Sequence, residues 1–193
     1  MTATAMKKQA PANRINGIDL DALAEAVGAI NRDPANGLVG FRVDSAWTGQ
    51  TGSETRVSSY TMAGERIARS FVIRTDEPLE LLGENKAPNP QETLMAALNA
   101  CMIVGYVAGA AVRGIRLDKL EIETAGELDL RGFLGLDDTV KPGYDAIRVA
   151  VRIRGDGTAE QFREIHEAVR KTSPNYFNVS RPVRIDTELM IET

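Results

Sequence analysis

The spacing of apolar positions changes repeatedly along this chain, and each change marks an element. Leu20, Leu23, Val27 and Ile30, with Ala24 and Ala26 between them, recur at helical spacing, so Asp19–Arg32 is a short amphipathic helix stopped by Asp33-Pro34. From Phe41 the period becomes two: Phe41, Val43, Ser45 and Trp47 alternate with Arg42, Asp44, Ala46 and Thr48. Turn chemistry at Gly49–Ser53 and at Ala63-Gly64-Glu65 separates this strand from Arg56–Met62 and from a third strand marked by Ile67, Phe71 and Ile73. An antiparallel meander feeding a Thr75–Pro90 loop is expected.

The chain is organised around the next stretch, Ala87–Arg113. Pro88 and Pro90 bar a helix before Gln91, and Glu92 falls in the first turn, where a carboxylate favours the positive end of the dipole. From Leu94 to Val112 only Asn99 is strongly polar, so this helix is expected to be buried nearly all round. The run is long enough to cross a bilayer. It is built of Ala, Gly and Met more than Leu, Ile and Phe, however, and polar amphipathic strands flank it, which favours a soluble core helix. Gly105, Ala108, Gly109 and Val112 admit a close second backbone, with the same helix of another subunit as one candidate.

Gly114 caps that helix, and Leu120, Ile122 and Thr124 open a strand extending as far as Leu130. Arg131–Tyr144 is a glycine- and proline-bearing loop. Ile147, Val149, Val151 and Ile153 against Arg148, Arg152 and Arg154 make a half-buried strand, stopped by Gly155-Asp156-Gly157. Thr158 and Gln161 form a capping box for a helix with Phe162, Ile165 and Val169 on its apolar stripe, ending before Ser173-Pro174. Pro182–Ile191 alternates again and reads as a closing strand. Segregated strands and helices give an α+β fold with a largely antiparallel sheet. The organisation expected is a mobile tail over 1–18, a helix over 19–34 and one domain over 35–193.

Composition narrows the chemistry. With 193 residues, 43% of them hydrophobic, the chain can build a real core; a net charge of −4 gives no footprint for nucleic acid. The single cysteine excludes an intrachain disulfide, and one cysteine with one histidine leaves no zinc set. No metal or cofactor is expected. A reducing cytoplasm fits a lone thiol, and the N-terminus lacks the apolar stretch of a signal or anchor. His166, beside Ile165, has no second ligand near it and reads as a boundary residue. Cys101 lies about three turns into the helix, too deep for the dipole alone to activate it, so reactivity needs a cation from elsewhere; otherwise the thiol is small apolar filler.

The stretch NPQETLMAALNAC, Asn89 to Cys101, resembles the N-P-x-E-L-L-x-A-A-x-x-x-C signature of the OsmC/Ohr family of thiol-dependent hydroperoxide reductases. Gly126-Glu127-Leu128-Asp129, Gly132-Phe133-Leu134, Pro142-Gly143 before a strand, and Arg181-Pro182-Val183 follow that family's layout, so the likeness spans roughly Phe41 to Thr193. It implies an OsmC-like fold: an intertwined homodimer with two buried central helices packed together and thiol sites near the subunit boundary. The implied chemistry is attack of the Cys101 thiolate on an organic hydroperoxide, with a sulfenic acid resolved by a second cysteine and restored by an external thiol. Two family positions depart. Ser173 stands where the resolving cysteine would be. Gln91 stands where the carboxylate partner would be, with Glu92 one place, about 100°, around the helix. The family's activating arginine comes from the N-terminal strands, with Arg42, Arg56, Arg69 and Arg74 as candidates.

Two functions follow. One is a one-cysteine hydroperoxide reductase in oxidative stress defence, its site drawn from Cys101, Gln91, Glu92 and Ser173. The other is a non-catalytic dimer of the same fold, binding a small apolar ligand, with Cys101 as packing. Neither calls for nucleic acid or a membrane.

Overall fold

The computed structural model describes residues 13–192 and divides into two compact units at Met95–Ala96. Residues 1–12 of the expected tail lie outside the described residues. The first unit opens with a hairpin of β1 (Arg14–Ile15) and β2 (Ile18–Asp19), turned by Asn16 and Gly17, both at positive φ. Asp19 then caps α1 (Leu20–Arg32), its carboxylate accepting from the Ala22 N–H at 3.1 Å.

The meander forms as β3 (Val39–Phe41), β4 (Asp44–Gly49), β5 (Gly52–Met62) and β6 (Glu65–Thr75). Strand β5 is central. β6 pairs along one edge from Ser53 to Met62, while β3 and β4 share the other. The strand expected from Phe41 to Thr48 is therefore broken: Arg42-Val43 leaves the ladder, and the Arg42 guanidinium bonds Asp44 at 2.9 Å. Among the described residues of this unit no apolar side chain is buried, and Trp47 and Phe71 are 76% and 56% exposed.

The loop after β6 is locked by a buried carboxylate. Asp76 accepts from the Thr51 hydroxyl (2.7 Å) and from the N–H groups of Glu77 (2.9 Å), Glu84 (3.1 Å) and Lys86 (3.0 Å). These donors, the Lys86 N–H foremost, hold its carboxyl below the usual carboxylate range.

Helix α2 (Pro90–Ala111) runs through the division. Asn89 caps it: Oδ1 accepts from the Gln91 N–H at 2.6 Å, and Glu92 reaches back to the Asn89 N–H at 2.8 Å, a capping box. Gly114, at φ +75°, ends it in a Schellman turn, with Ile115 N–H on Ala110 O and Gly114 N–H on Ala111 O.

The second unit continues with β7 (Leu117–Ala125), α3 (Leu130–Phe133), β8 (Arg148–Gly155), α4 (Ala159–Thr172) and α5 (Pro174–Ser180). β7 and β8 pair antiparallel, placing Leu120, Ile122, Val149, Val151 and Ile153 on the inner face. The outer face is charged, with Arg152 on Glu123 and Arg154 on Asp118. Leu98, Met102, Tyr106 and Ala110 of α2, with Ile115, Ile165 and Val169, form the core beneath that sheet.

Three expectations are corrected here. β7 ends at Ala125 rather than Leu130, because its partner β8 ends opposite it at Arg148 and a short helix begins at Leu130. Within one chain helix α2 buries one face only, and Val104 remains 67% exposed. Pro182–Ile191 forms no ladder with any described strand, and Ile185, Leu189 and Ile191 stand exposed. Alternation supplies a strand's two faces, but pairing needs an open edge within reach.

Candidate thiol site

The site is built by the match between two helices. Along α2, Cys101, Gly105 and Gly109 succeed one another at steps of four; along α4 and its C-cap, Ile165, Val169 and Ser173 do the same. The two rows run antiparallel. A Cβ on Gly109 would sit 3.3 Å from Ile165 Cγ2, and one on Gly105 would sit 3.1 Å from Val169 Cγ2. The close backbone that these glycines admit thus belongs to α4 of the same chain. One step further along the row, the Ser173 hydroxyl lies 3.3 Å from the sulfur of Cys101.

Ser173 is buried, Cys101 half-buried. The serine ends α4 and caps α5, so its oxygen accepts from the Tyr176 N–H at 3.4 Å while its proton goes to the sulfur. Asn175 fastens this corner to α2 through Ala97 O at 2.9 Å.

The family profile described as OsmC-like protein matches residues 83–188, more than half of the chain and all of α2 to α5. The chain belongs to the OsmC-like family. Its fold is similar to that of an OsmC-like protein from Mycoplasma pneumoniae, at 16% identity and TM-score 0.57 over 72% of this chain and 86% of the other. A putative osmotic stress induced and detoxification response protein from Psychrobacter arcticus matches at 14% identity and TM-score 0.52, over 69% and 84%. An OsmC-like protein of unknown function from Vibrio cholerae matches at 12% and 0.50, over 70% and 90%. No curated protein matches the sequence.

The OsmC-like frame brings Cys101 and Ser173 together but leaves the other two named residues elsewhere. Gln91 lies ten residues from Cys101 on one helix, about 15 Å along its axis. Its side chain is exposed, and Glu92 is engaged in the cap. Of the candidate arginines, Arg42 is paired with Asp44, and Arg56 and Arg74 both with Glu54. Arg69 instead lies over the rings of Phe71 (4.8 Å) and Tyr60 (5.6 Å). Neither a hollow of about 780 Å³ bordered by Glu127, Asp129, Lys141 and Asp145 nor one of about 530 Å³ beside Phe41, Arg42 and Tyr60 includes the thiol.

Sequence reasoning missed one polar pair in this layer. Tyr106 is buried, and its hydroxyl meets Nδ1 of His166, the boundary residue, at 2.5 Å. Burial pushes the phenol up to about 12, so it stays protonated at neutral pH, and the imidazole tautomer sets which of the two groups donates. The signal was partial: Tyr106 and His166 each follow a residue of the rows that meet, Gly105 and Ile165. A folded pKa above the unfolded value means that this tyrosine stabilises fully below pH ~10 and loses that contribution as pH rises through the folded value. In an ultraviolet titration of the four tyrosines, one is therefore expected to ionise last, near pH 12, and to vanish in Tyr106→Phe. Retention of the late step in that variant would refute the assignment.

Proposed function

We propose that this OsmC-like protein is a one-cysteine organic hydroperoxide reductase that works as a homodimer. The observation that carries the reading is the seating of the only thiol, half-buried, opposite a hydroxyl donor at the position where the family's second cysteine would stand. In the reaction, the Cys101 thiolate attacks one oxygen of the O–O bond. That bond breaks, the alkoxide leaves and takes up a proton, and the sulfur is oxidised to sulfenic acid. Ser173 has no sulfur with which to resolve it. An external thiol therefore displaces water from the sulfenic acid to form a mixed disulfide, and a second thiol releases Cys101 and leaves as the oxidised reductant.

What one chain leaves bare supports a second copy. The first unit's sheet buries no apolar side chain among the described residues, α2 exposes Val104, and the apolar 182–191 segment has no ladder. Surface of that kind is characteristic of association.

Stopped-flow mixing of the reduced protein with an organic hydroperoxide tests the reading. Consumption is expected to be saturable, faster than for a free thiol at the same pH, and absent in Cys101→Ser; light scattering of the same samples is expected to give a dimer. A rate no better than that of the free thiol would sink the catalytic claim. That result would favour the non-catalytic dimer holding a small apolar ligand, to which the neutral amide of Gln91 and the cap-bound Glu92 already lend weight.

A further inference from the structure

Ser173 stands where the family resemblance would put a resolving thiol, and it has a chemistry of its own. We infer that its hydroxyl is a working donor, which holds the sulfur of Cys101 in one position and favours its thiolate. Three observations place it. The matched four-residue steps of α2 and α4 bring the two side chains face to face, with oxygen and sulfur 3.3 Å apart. The oxygen already accepts the Tyr176 N–H, which leaves its proton for the sulfur. Ser173 is only 5% exposed, so water does not compete freely for that proton. A hydrogen bond to an ionised acceptor is stronger than one to a neutral acceptor, so this donor stabilises the thiolate more than the thiol.

The link has a consequence for the chemistry proposed above, on which its catalytic meaning rests. Cys101 lies too deep in α2 for the helix dipole to activate it, so a donor at the α4 C-cap supplies part of what the helix start cannot. The same hydroxyl cannot form a disulfide. One side chain thus favours the attacking form and commits the oxidised form to an outside thiol.

The test reads the thiol directly, with iodoacetamide and mass spectrometry, across a pH series. Ser173→Ala is expected to slow Cys101 alkylation at pH 7 by about tenfold, the scale of one charge-assisted hydrogen bond, and to match wild type at high pH, where every thiol is ionised. A purely structural role would change stability without moving that pH profile. Equal rates at all pH values, or a faster variant throughout, would overturn the inference. Should the alanine variant fail to fold, S173C keeps the question open to measurement. Diamide, accepting two electrons and two protons, is expected to close a disulfide between the paired thiols and abolish Ellman reactivity. Two thiols that stay free would show that the helices do not hold this register. Because alkylation needs neither peroxide nor reductant, a wild-type protein inert to hydroperoxides would defeat the catalytic reading while leaving this one intact.

Discussion

Ile165→Ala is expected to cost about 2–5 kcal/mol of unfolding free energy, measured by denaturant titration, the range for removing a fully buried aliphatic side chain. Ile165 has no exposed surface, and it seats against Gly109 where the two helical rows meet. The cavity cannot be filled from α2, because the facing residue is a glycine with no side chain to move in. The consequence reaches the site. Val169 and Ser173 follow on the same row, so a loosened α4 is expected to release the hydrogen bond to Cys101 and, as in Ser173→Ala, to slow its alkylation at pH 7. A loss below about 1 kcal/mol would mean that the row is not the structural support of the thiol.

The second large effect is expected at Gly83, in the loop that Asp76 holds. A Cβ there would lie 1.7 Å from the carbonyl oxygen of Glu77, backbone against backbone, and no rotamer change relieves that overlap. Gly83→Ala must therefore push the loop open. The Glu84 and Lys86 N–H groups then move off the buried Asp76 carboxylate, and an unsatisfied buried carboxylate is costly. A loss of about 3 kcal/mol, at the upper end for overpacking, is expected in chemical denaturation. Faster proteolytic cleavage between residues 77 and 86 should accompany it. Gly114→Ala is a useful contrast: its added Cβ would touch nothing, and the only penalty is the strained positive φ. Equal losses for the two variants would argue against a steric lock at Gly83.

Each prediction depends on pairings that were unequally visible in the chain. Helix α1, the Thr158–Gln161 capping box, and the alternation of β5, β6 and β8 all depend on neighbours a few residues away, and all were legible. Placing Cys101 on a long apolar helix, with the family likeness from Asn89 onward, was legible for the same reason. Glu92 was placed in the first turn, but its engagement with the Asn89 N–H was not recognised, although Asn89 and Glu92 have the spacing of a capping box.

Two long-range matters were read differently from the way they fold. The Gly105 and Gly109 pair announces a close neighbour without naming it, since a missing side chain is complementary to any helix that arrives. Only the packing identifies α4 of the same chain. The segment 182–191 has the alternation of a strand but finds no ladder among the described residues, because alternation describes one strand and a sheet needs two.

Local order was thus written in the chain itself: the caps, the turns, the helical and extended periods, and the one thiol deep in an apolar helix. Folding alone settled which distant groups meet, setting Ser173 against Cys101, Tyr106 against His166, and Thr51 against Asp76. The reason is one of range. A cap or a period is an interaction between near neighbours and repeats wherever its residues occur, whereas contacts across 60 or 72 positions depend on the register of whole elements, which packing selects.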